Sequence, residues 1–398
     1  MNIEPIVALE LGTSRIRAMV GEAREDDGLI ITAVGECASS GMRKGELFHF
    51  DSVCECVDRA LRQAEEAAGV TINEVHLALS GSQIEGIPNR GEIPVDGEIT
   101  DDHVEHVRRV AKEVTLPADR QILHSIVGQF CVDGLCGVRP TGMVGQKLAV
   151  EVLILHGVHS RMVNLVRVAK TLKLDVVDLL FSGLCAAMAA LSAEQKLQGV
   201  LLIDLGGGTT DFMAYANARI ADAGAFGVGG DHVTNDIAKA FRLSTAEAEA
   251  LKIQYADAMV SAAGRTRRIP LPASAGEVPR TMKLSDLQTV VHLRMEETFG
   301  LIRSRLQRQN LLNQMGGGVV LTGGGAYLKS VSQLAEKVFG LPCAIGGPRQ
   351  ISGLAANLSR PEYATGVGAV LCGFRNARMK AEQSRGVWTR MAQWFGLG

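Results

Sequence analysis

Aromatic residues make up only 4% of this 398-residue chain, and both tryptophans, Trp388 and Trp394, fall in its last eleven residues. The chain also lacks an excess of either charge: 41 Lys and Arg stand against 43 Asp and Glu, a net of -2. There is no global basic field to gather nucleic acid, which is not expected as a partner. No run reaches the roughly 18 apolar residues of a spanning helix. Met1 to Ala8 carries no basic segment ahead of an apolar one, so the body of the chain is expected in the cytoplasm. The eight cysteines (Cys37, Cys54, Cys56, Cys131, Cys136, Cys185, Cys343 and Cys372) include no C-x-x-C pair and read as buried reduced thiols. His103 with His106 and His156 with His159 have no companion ligands at metal spacing and read as solvated or capping histidines rather than metal ligands.

What is present is a soluble globular balance, 46% hydrophobic and 21% charged, in a length that favours two or more domains. An apolar run from Ile6 ends in Glu10-Leu11-Gly12-Thr13, and apolar residues resume through Ile16 to Val20, the pattern of strand, tight turn and strand. Helical spacing follows from Asp51 to Gly69, then a strand at Val75 to Leu79 ahead of Ser80-Gly81. From Ile84 to Ser160 the texture changes to a small inserted α+β subdomain, with a polar helix near Asp101 to Val114 and an alternating strand at Lys147 to Leu155. A strand at Asp175 to Leu180 and a small-residue helix at Gly183 to Leu191 complete the first half.

The run Val200 to Ile203 then ends in Asp204-Leu205-Gly206-Gly207-Gly208-Thr209-Thr210-Asp211, with a strand resuming at Phe212. Four apolar residues, an acid, Leu, Gly and Thr thus recur 194 positions after Ile6, an internal repeat. A third unit, Val319 to Thr322, ends in Gly323-Gly324-Gly325-Ala326. Between the last two, the spacing predicts helices at Asp231 to Phe241, Thr245 to Lys252 and Ser285 to Leu312.

A strand that ends in an acid and glycines places a carboxylate at the rim of its sheet and lets the backbone approach a ligand closely. Amides in such a turn can hydrogen-bond phosphate oxygens, while the acid holds magnesium through water. A single turn of this kind would be an ordinary hairpin; three after apolar strands, two with acids, make a clamp. No G-x-x-x-x-G-K-S/T run occurs, which excludes a Walker-type loop. A strand rather than a helix follows Thr210, which argues against a dinucleotide-binding turn.

These motifs resemble the actin, heat-shock chaperone and sugar-kinase superfamily, which implies an α/β, actin-like two-lobed ATPase fold of duplicated ribonuclease-H-like domains. The resemblance implies ATP and Mg2+ as cofactors. Gly12, Thr13 and Ser14 fall in its first phosphate turn and Gly206, Gly207, Gly208, Thr209 and Thr210 in its second. Gly230, Gly323, Gly324, Gly325 and Ala326 fall beside its adenosine, with Glu249 and Lys252 matching an E-x-x-K of the chaperones. Glu10, Asp204 and Asp211 match its magnesium holders, mostly through water. Glu10 stands where actin and the chaperones have Asp, so ATP binding with at most slow hydrolysis is expected.

With Leu77-Ala78-Leu79-Ser80-Gly81, Phe181-Ser182-Gly183-Leu184 and Val320-Leu321-Thr322-Gly323-Gly324 added to the two turns, the chain looks like the FtsA family of bacterial cell-division proteins. The resemblance implies a first lobe over 1–83 and 161–197 and the insert over 84–160. A second lobe follows over 198–230 and 313–372, with a smaller subdomain over 231–312, a flexible basic linker over 373–386 and an amphipathic helix over 387–397. On a helix Val387, Trp388, Met391, Trp394 and Phe395 share one face, suited to the headgroup level of a membrane. Upstream, Arg375, Arg378, Lys380 and Arg385 against Glu382 favour an anionic leaflet.

The family resemblance implies a homopolymer, peripheral on the cytoplasmic side of the cell membrane at the division site. The polymer would dock the FtsZ C-terminal peptide on the smaller subdomain, near Arg294, and engage later division proteins. Two other readings stay open: a small-molecule kinase of the superfamily, for which no substrate motif is seen, and a PilM-type pilus assembly protein.

Overall fold

A computed structural model of the chain describes residues 5–23, 29–271, 280–349, 352–353 and 358–394, with side chains of the last helix described to Met379. The repeat read from the sequence is a repeat of sheets. In the first, strands lie in the order Asp175–Phe181, Glu74–Leu79, Ile6–Leu11, Arg15–Ala23 and Leu29–Ala38. In the second the order is Cys343–Ile345, Val319–Thr322, Val200–Leu205, Thr210–Ala216 and Arg219–Phe226. In both, the strand carrying the acid pairs antiparallel with the strand that follows it and parallel with a later one. That central strand is covered on both faces, which explains its unbroken apolar run: Val200 to Ile203 are all buried.

Helix Phe50–Ala68 buries Val53, Cys56, Val57, Ala60, Leu61 and Ala64 as its apolar stripe, against the first sheet. The inserted subdomain is a four-stranded sheet with helix Asp101–Lys112 on one face, and its strand Glu85–Glu98 continues the second sheet edge to edge, Glu85 opposite Gly224. The helices Gly230–Phe241, Thr245–Tyr255 and Leu284–Arg308 share one core with the second sheet through Val233, Ile237, Leu251, Val291 and Phe299. The last of them ends before Leu312, where a short 3-10 turn, Leu312–Gln314, takes over.

Several expectations need correction. The cysteines are not eight buried thiols: Cys131 and Cys136 lie opposite each other across a hairpin and form a disulfide. Cross-strand register, which no spacing rule reveals, brings them together. Residues placed in the second lobe up to 372 cross back: Ser352–Gly353 pairs with strand Leu29–Ala38. Tyr363, Val367, Val370 and Cys372 pack with Ile6, Ala8, Met19 and Ile31 of the first lobe. The stretch 373–386, expected as a flexible linker, is part of one helix, Ala364–Trp394. A small hairpin, Met42–Arg43 with Glu46–Leu47, was not anticipated and lies against the first turn, where the Gly45 amide donates to Thr13 Oγ1 at 3.0 Å.

Candidate functional site

The strand ends of the two lobes face each other across a cavity of about 530 Å³. Gly12, Thr13 and Ser14 line it from the first hairpin, and Gly206, Gly207, Thr209 and Thr210 from the second. Gly208 sits at the seam instead, where an added Cβ would fall 2.5 Å from Thr13 Oγ1 and 2.8 Å from the Lys44 amide. At Gly207 it would fall 1.9 Å from Ser14 Oγ. Glycine at both positions is therefore what lets the two turns touch.

The other end of the cavity is lined by Gly230, Glu249, Lys252, Gly323, Gly324 and Gly325. Ala326 is buried beside them in the second core. Glu249 and Lys252 form an ion pair at 2.7 Å, and the Lys252 ammonium also donates to Thr234 Oγ1 at 2.9 Å and to the Gly230 carbonyl at 3.2 Å. The pair thus fixes helix Thr245–Tyr255 to the start of helix Gly230–Phe241. Gly323 has φ +79, and its Cβ would fall 2.1 Å from Asp204 Oδ1, so only glycine fits beside that carboxylate.

Glu10, Asp204 and Asp211 converge on the floor. Burial raises the pKa of all three, Asp211 well above the usual range, with Asp204 adding repulsion to both of its neighbours. Thr365 Oγ1 donates to Asp204 at 2.7 Å, Ser80 Oγ donates to Asp211, and Arg17 lies 3.4 Å from Glu10. Buried carboxylates that repel one another are the environment a divalent cation relieves. Among the described residues no three acidic, histidine or cysteine side chains converge closely enough to ligate a metal directly. A cation here would be held through water, and the donor set fits magnesium on those terms.

A stability consequence follows. The folded pKa of Asp211 lies above its unfolded value, so its ionisation costs stability as pH rises through the folded pKa. Asp211→Asn, which keeps an oxygen for Ser80, should therefore raise the melting temperature of the free protein at pH 7 by a few degrees while weakening cation binding. Thermal melts from pH 5 to 8 should show the gap between variant and wild type widening with pH.

Arg17, Ser80 and Thr365 were not among the expected site residues, nor were Tyr327 and Lys329 at the cavity wall. For Arg17 a signal existed: it lies 194 positions before Asp211, the repeat offset itself. Of the expected partner residues, Arg294 is not a free cation, since Asp236 and Glu297 hold its guanidinium at 2.5 and 2.6 Å. Val387, Trp388, Met391 and Trp394 lie on the last helix with side chains outside the described residues, and Phe395 lies outside them altogether.

A family model for cell division protein FtsA matches residues 201–368, and one for the SHS2 domain inserted in FtsA matches residues 81–156. The cell division protein FtsA of Pseudomonas aeruginosa is 33% identical over 372 residues, covering 93% of this chain and 89% of its own. That of Escherichia coli K12 is 32% identical over 400 residues, covering 98% and 95%. Among solved structures, a PilM-PilN type IV pilus biogenesis complex aligns with a TM-score of 0.66 at 16% identity, over 94% of this chain and 99% of its own. MreB5 of Spiroplasma citri bound to AMPPNP aligns with a TM-score of 0.57 at 15% identity, over 96% and 100%. The structural likenesses show the actin-like fold, and the sequence matches carry the conclusion beyond it: the chain belongs to the FtsA family of cell-division proteins.

Proposed function

We propose that the chain binds ATP with Mg2+ between its lobes, polymerises in that state, and ties FtsZ filaments to the inner face of the cytoplasmic membrane at the division site. The observation that carries the nucleotide part is the contact between Gly207–Gly208 and Thr13–Ser14 at the mouth of an acid-floored cavity. Two turns that touch across a cleft can hold one phosphate chain from both sides. Asp204 and Asp211 would hold the cation, which supplies charge neutralisation to the phosphates, and Glu249 and Lys252 would bracket the adenosine. The AMPPNP in the MreB structure of the same fold supports this reading. Nucleotide between the lobes fixes the interlobe angle that subunits need in order to stack, so binding rather than turnover is the task of the site.

A single short amphipathic helix anchors weakly, but many on one polymer bind together at high effective concentration. In the described residues no helix is long and apolar enough to cross a membrane. Attachment through Val387, Trp388, Met391, Trp394 and Phe395 to an anionic surface would be peripheral. The FtsZ C-terminal peptide would dock on the smaller subdomain over 231–312 near Arg294, and the insert would face later division proteins. The PilM-type alternative has fold likeness alone behind it. Flotation with anionic vesicles tests the whole reading: FtsZ should rise with the vesicles only when this chain and ATP are both present and FtsZ keeps its C-terminal peptide. FtsZ floating equally without ATP would remove the nucleotide from the mechanism, and FtsZ left at the bottom would remove the tether.

A further inference from the structure

The two hairpins of the cleft are related by the 194-residue repeat, and their registers are equivalent: Glu10 lies opposite Arg17, and Asp204 lies opposite Asp211. Equivalent positions therefore hold a cation in the first hairpin and a second acid in the other. Arg17 is 8% exposed, and a guanidinium that far from water is costly unless it is paired. Its surroundings supply the pairing. Nε donates to Glu36 Oε1 at 2.8 Å, Nη1 reaches both Glu10 oxygens at 3.4 and 3.5 Å, and the guanidinium lies over the Tyr363 ring, 5.1 Å from its centre. The partners of the other two acids are hydroxyls, Thr365 on Asp204 and Ser80 on Asp211. A hydroxyl orients a carboxylate but leaves its charge intact, whereas a guanidinium cancels it.

Of the three acids on the floor, one touches a cation of the protein's own and two meet only hydroxyls: Arg17 divides its charge between Glu10 and Glu36. The two acids with no cationic contact both sit on the second hairpin. We infer that Arg17 is the built-in counter-ion of Glu10, so that Asp204 and Asp211 alone hold the divalent cation that accompanies the nucleotide. Glu10 then positions Arg17 rather than the metal. This rests on the nucleotide reading above and sharpens it, because the first-hairpin acid leaves the metal-holding set.

The test is the free Mg2+ concentration that half-saturates binding of a fluorescent ATP analogue to the full-length protein. Asp204→Asn and Asp211→Asn should each raise it roughly tenfold or more. Glu10→Gln should leave it within about twofold of wild type, since Arg17 offsets the charge it removes. Arg17→Met leaves Glu10 uncancelled and should lower the Mg2+ requirement severalfold while weakening Mg2+-free binding. The double variant Arg17→Met with Glu10→Gln, which removes a neutral pair, should restore both. A Glu10→Gln variant as Mg2+-demanding as Asp204→Asn overturns the inference, as does an Arg17→Met effect that persists in the double variant. The Glu10→Gln arm decides the question even if Arg17→Met fails to fold. Wild-type protein that binds no nucleotide at any Mg2+ concentration overturns the underlying reading instead.

Discussion

Valine at Gly207 or at Gly208 is expected to weaken ATP binding by on the order of a hundredfold or more, because each keeps the two glycine-rich turns from meeting. A Cβ at 207 would overlap Ser14 Oγ at 1.9 Å, and one at 208 would meet the Lys44 amide at 2.8 Å as well as Thr13 Oγ1. Valine adds two methyl groups to that overlap. At 208 the obstruction includes the Lys44 backbone amide, which cannot swing aside; at 207 the Ser14 hydroxyl can rotate, but Ser14 Cβ stays 3.1 Å from the added Cβ, so the methyls of valine press the hairpins apart. A displacement of about an ångström between groups that act on one ligand is enough to lose most of their joint effect. Neither lobe loses its own core, since both glycines sit in the turn between the lobes and belong to neither buried apolar cluster. Melting temperature should change little while titration with a fluorescent ATP analogue shows the loss. Retention of binding within about tenfold by both variants would mean that the cleft works without the closed contact.

Sequence legibility followed how locally each feature is written. The turns at Glu10 and Asp204 could be read because acid, glycines and flanking apolar strands are contiguous, and the repeat at 194 positions gave the duplicated sheets. Ser80 and Thr365 could not be read as site residues, since each meets its acid only after the chain folds: Ser80 and Asp211 are 131 positions apart, Thr365 and Asp204 161. The Cys131–Cys136 disulfide depends on hairpin register in the same way. The return of 352–353 and 358–374 to the first lobe was missed because apolar periodicity marks a buried face without naming the core that buries it. Helix Ala364–Trp394 shows how polar composition can mislead: Asn376 to Gly386 is poorly patterned, yet one helix runs through it. Arg17 is different, because it was legible through the repeat offset.

That continuous helix bears on the second large effect. Removing residues 380–398, or replacing both Trp388 and Trp394 by Glu, is expected to abolish flotation of the full chain on anionic vesicles. In the proposed attachment two indoles at the headgroup level would contribute apolar burial and interfacial anchoring, and two carboxylates in their place would add repulsion from the anionic lipid. The combined change is several kcal/mol, roughly a hundredfold or more in partition. Wild-type flotation should itself weaken with added salt, since any attraction of Arg375, Arg378, Lys380 and Arg385 for the surface would be screened. ATP binding should persist in the tryptophan variant, because no cavity residue lies beyond Thr365 among those that line it. If the helix end instead docked on the body of its own chain, the two glutamates would lower the melting temperature and leave flotation as it was. Since the same helix begins at Ala364, next to the Thr365 hydroxyl on Asp204, its far end is joined to the cleft by helix alone. In the proposed function, nucleotide occupancy and membrane contact would therefore have a direct route by which to affect each other, and flotation that rises with ATP would show that they do.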